Sequence, residues 1–127
     1  MEAINAPGAP EAIGPYCHAM KVCNLLFCSG QAPLDPETMK LVGMDIEEQT
    51  KRVLDNLSLV LASENLTLKN VVKTTVFLKD MADFKGMNKI YEEQFNGHKP
   101  SRSTVAVKQN PLDALVEIEC IAELSHK

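Results

Sequence analysis

Arg102 opens an alternating, β-branched run directly after Pro100-Ser101, and Glu117 and Glu119 stand in a second such run beginning fifteen residues later. A guanidinium presents a planar fork of donors that matches a carboxylate. A carboxyl group in a partly apolar setting holds its proton more tightly than in water, which suits a general base near neutrality. Arg102 can therefore take a carboxylate, and Glu117 can serve as a general base. The same residues can instead form a structural ion pair across neighbouring strands, and residue chemistry alone favours that plainer role. Tyr16, after Gly14-Pro15, can offer its hydroxyl to a ligand or simply pack at the start of a strand. Ser29-Gly30-Gln31 closes a strand where glycine permits close backbone approach, or only a turn. Asn88 stands one position past Met87 of a helical apolar stripe, where an amide ties down a loop or touches a ligand.

Other chemistry finds little support. There is no phosphate-binding loop, dinucleotide fingerprint, G-x-S-x-G or H-E-x-x-H. His18, His98 and His126 are scattered over strand, loop and tail and are expected at the surface. Cys17, Cys23, Cys28 and Cys120 lack C-x-x-C spacing, and reduced, buried thiols fit them better than zinc ligands. Thirteen Lys+Arg against seventeen Asp+Glu give a net charge of −4, which disfavours a nucleic-acid partner unless a local basic patch exists. Aromatic residues at 5% argue against a base-stacking platform. The amino terminus lacks a basic and apolar leader, and no apolar run approaches bilayer length, so a cytoplasmic protein without membrane partners is expected.

The elements that must position these residues can be read from periodicity. At 127 residues, 45% apolar and 24% charged, one domain over 1–127 with its own core is expected. A short first strand and a Pro/Gly-rich loop to Tyr16 precede a hairpin, His18 to Val22 and Leu25 to Ser29. Gln31 to Gly43 reads as loop. Asp45 with Glu48 begins a helix whose stripe is Ile46, Val53, Leu54, Leu57, Val60 and Leu61. Val71 to Leu78 alternates, with Val72, Thr74, Val76 and Leu78 on one face. Asp80 is expected to cap a second helix buried through Phe84, Met87, Tyr91 and Phe95, and Gly97 and Pro100 end it. The last third reads as a second hairpin turning at Asn110-Pro111, with Glu117 and Glu119 sharing a face. The order β-β-β-α-β-α-β-β predicts a two-layer α+β domain: a six-stranded, mainly antiparallel sheet with two helices on one face. The other face, with Leu115, Ile121, Phe77 and Ala106 beside charges, is too apolar for bare solvent and predicts a closed oligomer.

Ala12-Ile13-Gly14-Pro15-Tyr16, Ser29-Gly30-Gln31, Val72 to Leu78, Asn88 with Tyr91, Arg102-Ser103 and Val116-Glu117-Ile118-Glu119 follow one another as in the RidA/YjgF family, which the chain resembles from about Ala6 to Ala122. The resemblance implies a chorismate-mutase-like fold in a homotrimer with three clefts between subunits. It also implies hydrolysis of 2-imino acids, such as 2-iminopropanoate and 2-iminobutanoate, to 2-oxo acids and ammonia. These imines are released by pyridoxal-phosphate-dependent dehydratases, an implied functional link. On that basis Arg102 holds the substrate carboxylate and Glu117 positions and activates water. Backbone groups around Thr104 bond the imine nitrogen. Tyr16, with Ser29-Gly30 from the adjoining subunit, closes the cleft, Asn88 supports its wall and Pro111 shapes its rim. No metal or organic cofactor is implied, because an imine is already electrophilic. Thr104 replaces a cysteine common in the family, and Asn110 replaces a leucine, with altered cleft polarity expected from the latter. Two rival functions go with the resemblance: an endoribonuclease or translation inhibitor, and a non-enzymatic trimer that binds small carboxylates or acts as a chaperone.

Overall fold

The side chain of Asp45 accepts a hydrogen bond from the amide of Glu48 (2.9 Å) and starts helix α1, Ile46–Ala62. A computed structural model of the chain, describing residues 1–125, shows how that helix and its neighbours are arranged. The strands are β1 (Glu2–Ile4), β2 (Ala19–Val22), β3 (Leu25–Gln31), β4 (Val71–Leu78), β5 (Ser101–Ala106) and β6 (Val116–Glu123), and the second helix is α2 (Phe84–Phe95). The predicted element order and the two-layer architecture are those observed. Val53, Leu54, Leu57, Val60 and Leu61 of α1 and Met87, Tyr91 and Phe95 of α2 bury their side chains against one face of the sheet.

Asp80 does not cap α2 directly. It accepts from the amide of Ala82 (2.8 Å) and opens a single 3-10 turn, Met81–Asp83, from which α2 begins at Phe84. Asn96 and Gly97 then end α2, both with positive φ.

The sheet order is β1-β2-β3-β6-β4-β5. The first hairpin, β2 with β3, forms as predicted. The second does not. β6 inserts between β3 and β4, antiparallel to both, while β5 lies at the edge in parallel register with β4. A parallel pair needs a crossover, and α2 supplies it between β4 and β5, so β4 separates the two strands read from sequence as a hairpin. The 107–115 segment then carries the chain back, tied by Val107 N–H to Leu78 O and Lys79 N–H to Leu115 O, each at 2.9 Å.

Register decides which face each side chain takes, because directly paired residues project together. Thr74, Val76 and Leu78 point into the core with Ile118, Val116 and Cys120. A register shift between Val71 and Lys73 buries Val71 and leaves Val72 exposed, against the simple alternation expected there. Ala106 is paired with Leu78 and so lies on the helix side; Val105, paired with Phe77, takes the place on the open face. That open face retains Phe27, Phe77, Val105 and Ile121, with Phe27 and Val105 exposed.

The histidines and cysteines depart in part from expectation. His18 is buried and His98 half-buried, its ring bonded to Val71 O at 2.7 Å, while His126 falls outside the described residues. Cys28 and Cys120 are buried as expected, but Cys17 is half-buried and Cys23 exposed on the β2–β3 turn. No helix among the described residues is long and apolar enough to cross a membrane.

Candidate active site

Arg102 pairs in register with Thr74, whose side chain is fully buried beneath the helices, so the guanidinium leaves the sheet on the helix side. It lies 4.9 Å from the ring centroid of Tyr91 and 5.6 Å from that of Phe84. Two aromatic faces orient the cation without neutralising it. The Tyr91 hydroxyl shares a 2.7 Å hydrogen bond with Thr74 Oγ1. Burial pushes that hydroxyl above its ordinary 10.0, against the opposing Thr74 bond and Arg102 charge, so the ring beside Arg102 stays uncharged. Among the described residues no carboxylate pairs with Arg102. The guanidinium faces a cavity of about 590 Å³ with Asn88, Tyr91, Glu92, His98 and Pro100 on its walls. Asn88 Oδ1 is buried without a hydrogen-bond partner, and so is Thr104 Oγ1, one inward position beyond Arg102 on β5. Asn88 therefore does not tie down a loop. A buried polar atom left unpaired costs about 1–3 kcal/mol, so both oxygens, like Thr50 Oγ1 elsewhere, favour a donor that reaches them.

Glu117 pairs with Phe77 and emerges on the opposite, open face. It sits in a second cavity of about 520 Å³ with Tyr16, His18, Ser29, Gly30 and Pro111. Burial raises its pKa above the ordinary 4.5, and the charge of Glu119 raises it further. No cation among the described residues is paired with it. Gly30 makes room for this carboxylate: a Cβ there would overlap Oε1 of Glu117 and crowd its Cδ at 3.0 Å. Ser29 is anchored by its hydroxyl to Cys17 O (2.8 Å) and by its N–H to His18 O (2.9 Å). Tyr16 is 53% exposed, a side chain presented rather than packed.

Pro111 begins a 3-10 turn at the rim in which Leu112 and Asp113 both adopt left-handed backbone, φ 60° and 57°. Non-glycine residues pay for that geometry in steric energy, and Leu112 is held out beside the cavity as a result. Asn110 does not alter cleft polarity, contrary to expectation. It is buried, and its Nδ2 donates to Phe77 O (3.0 Å) and Ala114 O (3.2 Å), bracing the turn from behind.

The structural ion pair anticipated between Arg102 and Glu117 or Glu119 is absent. β4 lies between their strands, and Arg102 and Glu117 leave the sheet on opposite faces. Of the predicted site residues, Tyr16, Ser29, Gly30, Pro111 and Glu117 converge in one cavity, Arg102 and Asn88 in another, and Thr104 continues the Arg102 side of β5. His18 and the Phe84/Tyr91 platform were missed as site residues. Phe84 and Tyr91 are two helical turns apart on one apolar face, a signal that reads as core until β5 is known to lie beneath α2.

Gly30→Ala tests the packing of this cavity. The overlap falls on the mobile end of Glu117, so stability is expected to change by less than about 1 kcal/mol. The carboxylate must move by an ångström or so, and the turnover proposed below should fall by roughly 100-fold. Thermal melts alongside imine-hydrolysis rates check both; an unchanged rate counts against the role of Glu117.

A family model described as Endoribonuclease L-PSP matches residues 6–124. Reactive Intermediate Deaminase A, chloroplastic, of Arabidopsis thaliana is 46% identical over 123 residues, covering 97% of this chain and 66% of its own. An endoribonuclease candidate from Thermotoga maritima superposes with a TM-score of 0.94 at 46% identity, covering 99% of each chain. E. coli TdcF, solved with bound serine, superposes at 0.92 with 34% identity, covering 98% of this chain and all of that one.

Proposed function

The chain belongs to the Endoribonuclease L-PSP family, the RidA/YjgF group, and from that premise we propose that it hydrolyses 2-imino acids to 2-oxo acids and ammonia in clefts shared between copies. One observation carries the reading. Among the described residues, a guanidinium without a carboxylate and a carboxylate without a cation stand on opposite faces of one sheet, each in its own cavity. One chain cannot join them; a cyclic assembly can, by seating the Arg102 half of one copy against the Glu117 half of the next. The uncovered Phe27, Phe77, Val105 and Ile121 face supplies apolar surface for that contact, and three copies close the ring. The serine bound to TdcF supports a small α-amino-acid-like ligand, and the name of the plant relative supports deamination.

In such a cleft Arg102 takes the substrate carboxylate in a bidentate charge-assisted pair, which fixes the imine carbon. Glu117 removes a proton from water as its oxygen bonds to that carbon, and the C=N electron pair moves to nitrogen. That proton returns through Glu117 to nitrogen and gives the neutral carbinolamine, whose hydroxyl proton Glu117 then moves to the amino group, leaving an oxygen electron pair to form C=O. The C–N bond then breaks, ammonia leaves and the 2-oxo acid remains. Backbone groups of β5 can bond the imine nitrogen, because an edge strand leaves part of its N–H and C=O unpaired. Water is the one co-reactant, and 2-iminopropanoate and 2-iminobutanoate, released by pyridoxal-phosphate-dependent dehydratases, are the substrates of choice.

Two measurements test the composite site. Light scattering is expected to give three times the 14.0 kDa chain mass. Arg102→Ala and Glu117→Gln chains, each strongly impaired at substrate concentrations below the wild-type KM, should regain about one quarter of wild-type activity there when unfolded together and reassembled at equal ratio, since random cyclic assembly leaves that fraction of clefts with both native groups. Inactive mixtures with normal mass would remove the shared cleft. For the reaction itself, a dehydratase generating imine is coupled to semicarbazide trapping. Semicarbazone formation unchanged by the protein would overturn the deaminase reading, and RNA cleavage by the wild type lost in neither variant would point to the endoribonuclease alternative.

A further inference from the structure

We infer that His18 is a positioning residue for the Glu117 half-site, its buried ring bracing the loop that carries Ile13 and Tyr16 to the cavity wall. The inference rests on the hydrolytic reading for its catalytic consequence. Residues 5–17 contain no regular strand or helix, and the backbone hydrogen bonds formed within them are local, Ala9 N–H to Ala6 O and Tyr16 N–H to Gly14 O. Neither bond ties the loop to the sheet. The imidazole does. Ala6 N–H donates to Nδ1 at 2.8 Å, which makes Nδ1 the acceptor and puts the ring proton on Nε2. Nε2–H then donates to Pro10 O at 2.7 Å.

The ring is only 4% exposed, so both bonds are shielded from competing water. It spans from the start of β2 to two points of the loop, closing residues 6–18 into a compact arch. The backbone of the same residue faces the other way. His18 O accepts from Ser29 N–H, and Cys17 O accepts from the Ser29 hydroxyl, next to the Gly30 that packs on Glu117. One residue thus connects the wall bearing Tyr16 with the bulged end of β3 under the carboxylate. His18 touches the cavity itself, together with Pro10 and Glu11, which it holds in place.

Glutamine offers one acceptor and one donor and can replace both ring bonds; phenylalanine fills the volume and can make neither. His18→Phe is expected to speed amide exchange across residues 5–17 by roughly tenfold or more, while exchange in β4 and β6 keeps its wild-type rates. KM for 2-iminobutanoate should rise by about tenfold with a smaller change in kcat, because Tyr16 loses its place while Glu117 stays on β6. His18→Gln should stay within about threefold of wild type in both respects. Tyr16→Ala should add little in the His18→Phe background, a coupling that a purely structural histidine would not produce. Wild-type exchange of the loop in His18→Phe, or equal losses in the Phe and Gln variants at equal thermal midpoints, overturns the inference. Should His18→Phe not fold, the ring nitrogen resonances of the wild type decide: Nδ1 unprotonated and coupled to the Ala6 amide supports the brace, and Nδ1 protonated removes it. A wild type that never accelerates imine hydrolysis defeats the catalytic reading alone, and the exchange measurement still decides what holds the loop.

Discussion

Glu117→Gln is expected to lower kcat for 2-iminobutanoate by roughly 10²- to 10⁴-fold while leaving the affinity for a 2-oxo acid within a few-fold of wild type. The substitution preserves shape and removes the carboxylate that Gly30 packs against, the proposed base. Binding should survive because the proposed carboxylate anchor, Arg102, lines the other cavity. The pH profile gives an independent check. Burial, then the charge of Glu119, raises the Glu117 pKa above 4.5, and a base works only when deprotonated. Wild-type kcat should therefore fall as pH drops through a midpoint above 4.5, and the Glu117→Gln variant should lose that limb. Equal loss of binding and turnover would instead assign Glu117 to ligand capture.

Arg102→Ala is expected to act chiefly on KM. A charge-assisted bidentate bond contributes about 1.5–3 kcal/mol, and its removal should raise KM by roughly 10- to 100-fold. Turnover should fall as well, since an unanchored substrate no longer presents its imine carbon to the activated water. Arg102→Lys should recover only part of this. Lysine keeps the charge but lacks the planar fork and the stacked seat between Tyr91 and Phe84. Steady-state kinetics of the three proteins, with 2-oxobutanoate binding by calorimetry, separate anchor from orientation. Wild-type KM in Arg102→Ala would dismiss the arginine as the carboxylate site.

Much of the fold was legible because short-range physics dictates it. The α1 stripe from Val53 to Leu61, the Asp45 cap and the alternation along β6 each depend on local backbone geometry and on which side chains avoid water. Where local pattern failed, a long-range choice intervened. Two alternating runs joined by Asn110-Pro111 look like a hairpin, yet α2 had already committed β5 to a parallel place beside β4, and β6 took the only position between β3 and β4. Val72 departs from simple alternation for a related reason, since a register shift at Val71 is a property of the strand pair rather than of either strand. Asn110 and His18 are polar residues whose burial became intelligible only once carbonyl and amide partners far along the chain were known.

Residue types, spacing and the family resemblance named Arg102 and Glu117 as the chemically distinctive pair before any geometry was known. The sequence alone also determined that the elements form a two-layer α+β unit with one apolar face left over, because periodicity fixes which side chains must leave water. Only the tertiary structure decided that the two residues cannot meet within one chain. Facing is set by strand register, and register is a cooperative outcome of the whole sheet: Arg102 follows Thr74 to the helix side and Glu117 follows Phe77 to the open side. What reads in sequence as one arginine–glutamate pair is, in three dimensions, two residues in separate cavities on opposite faces of the sheet.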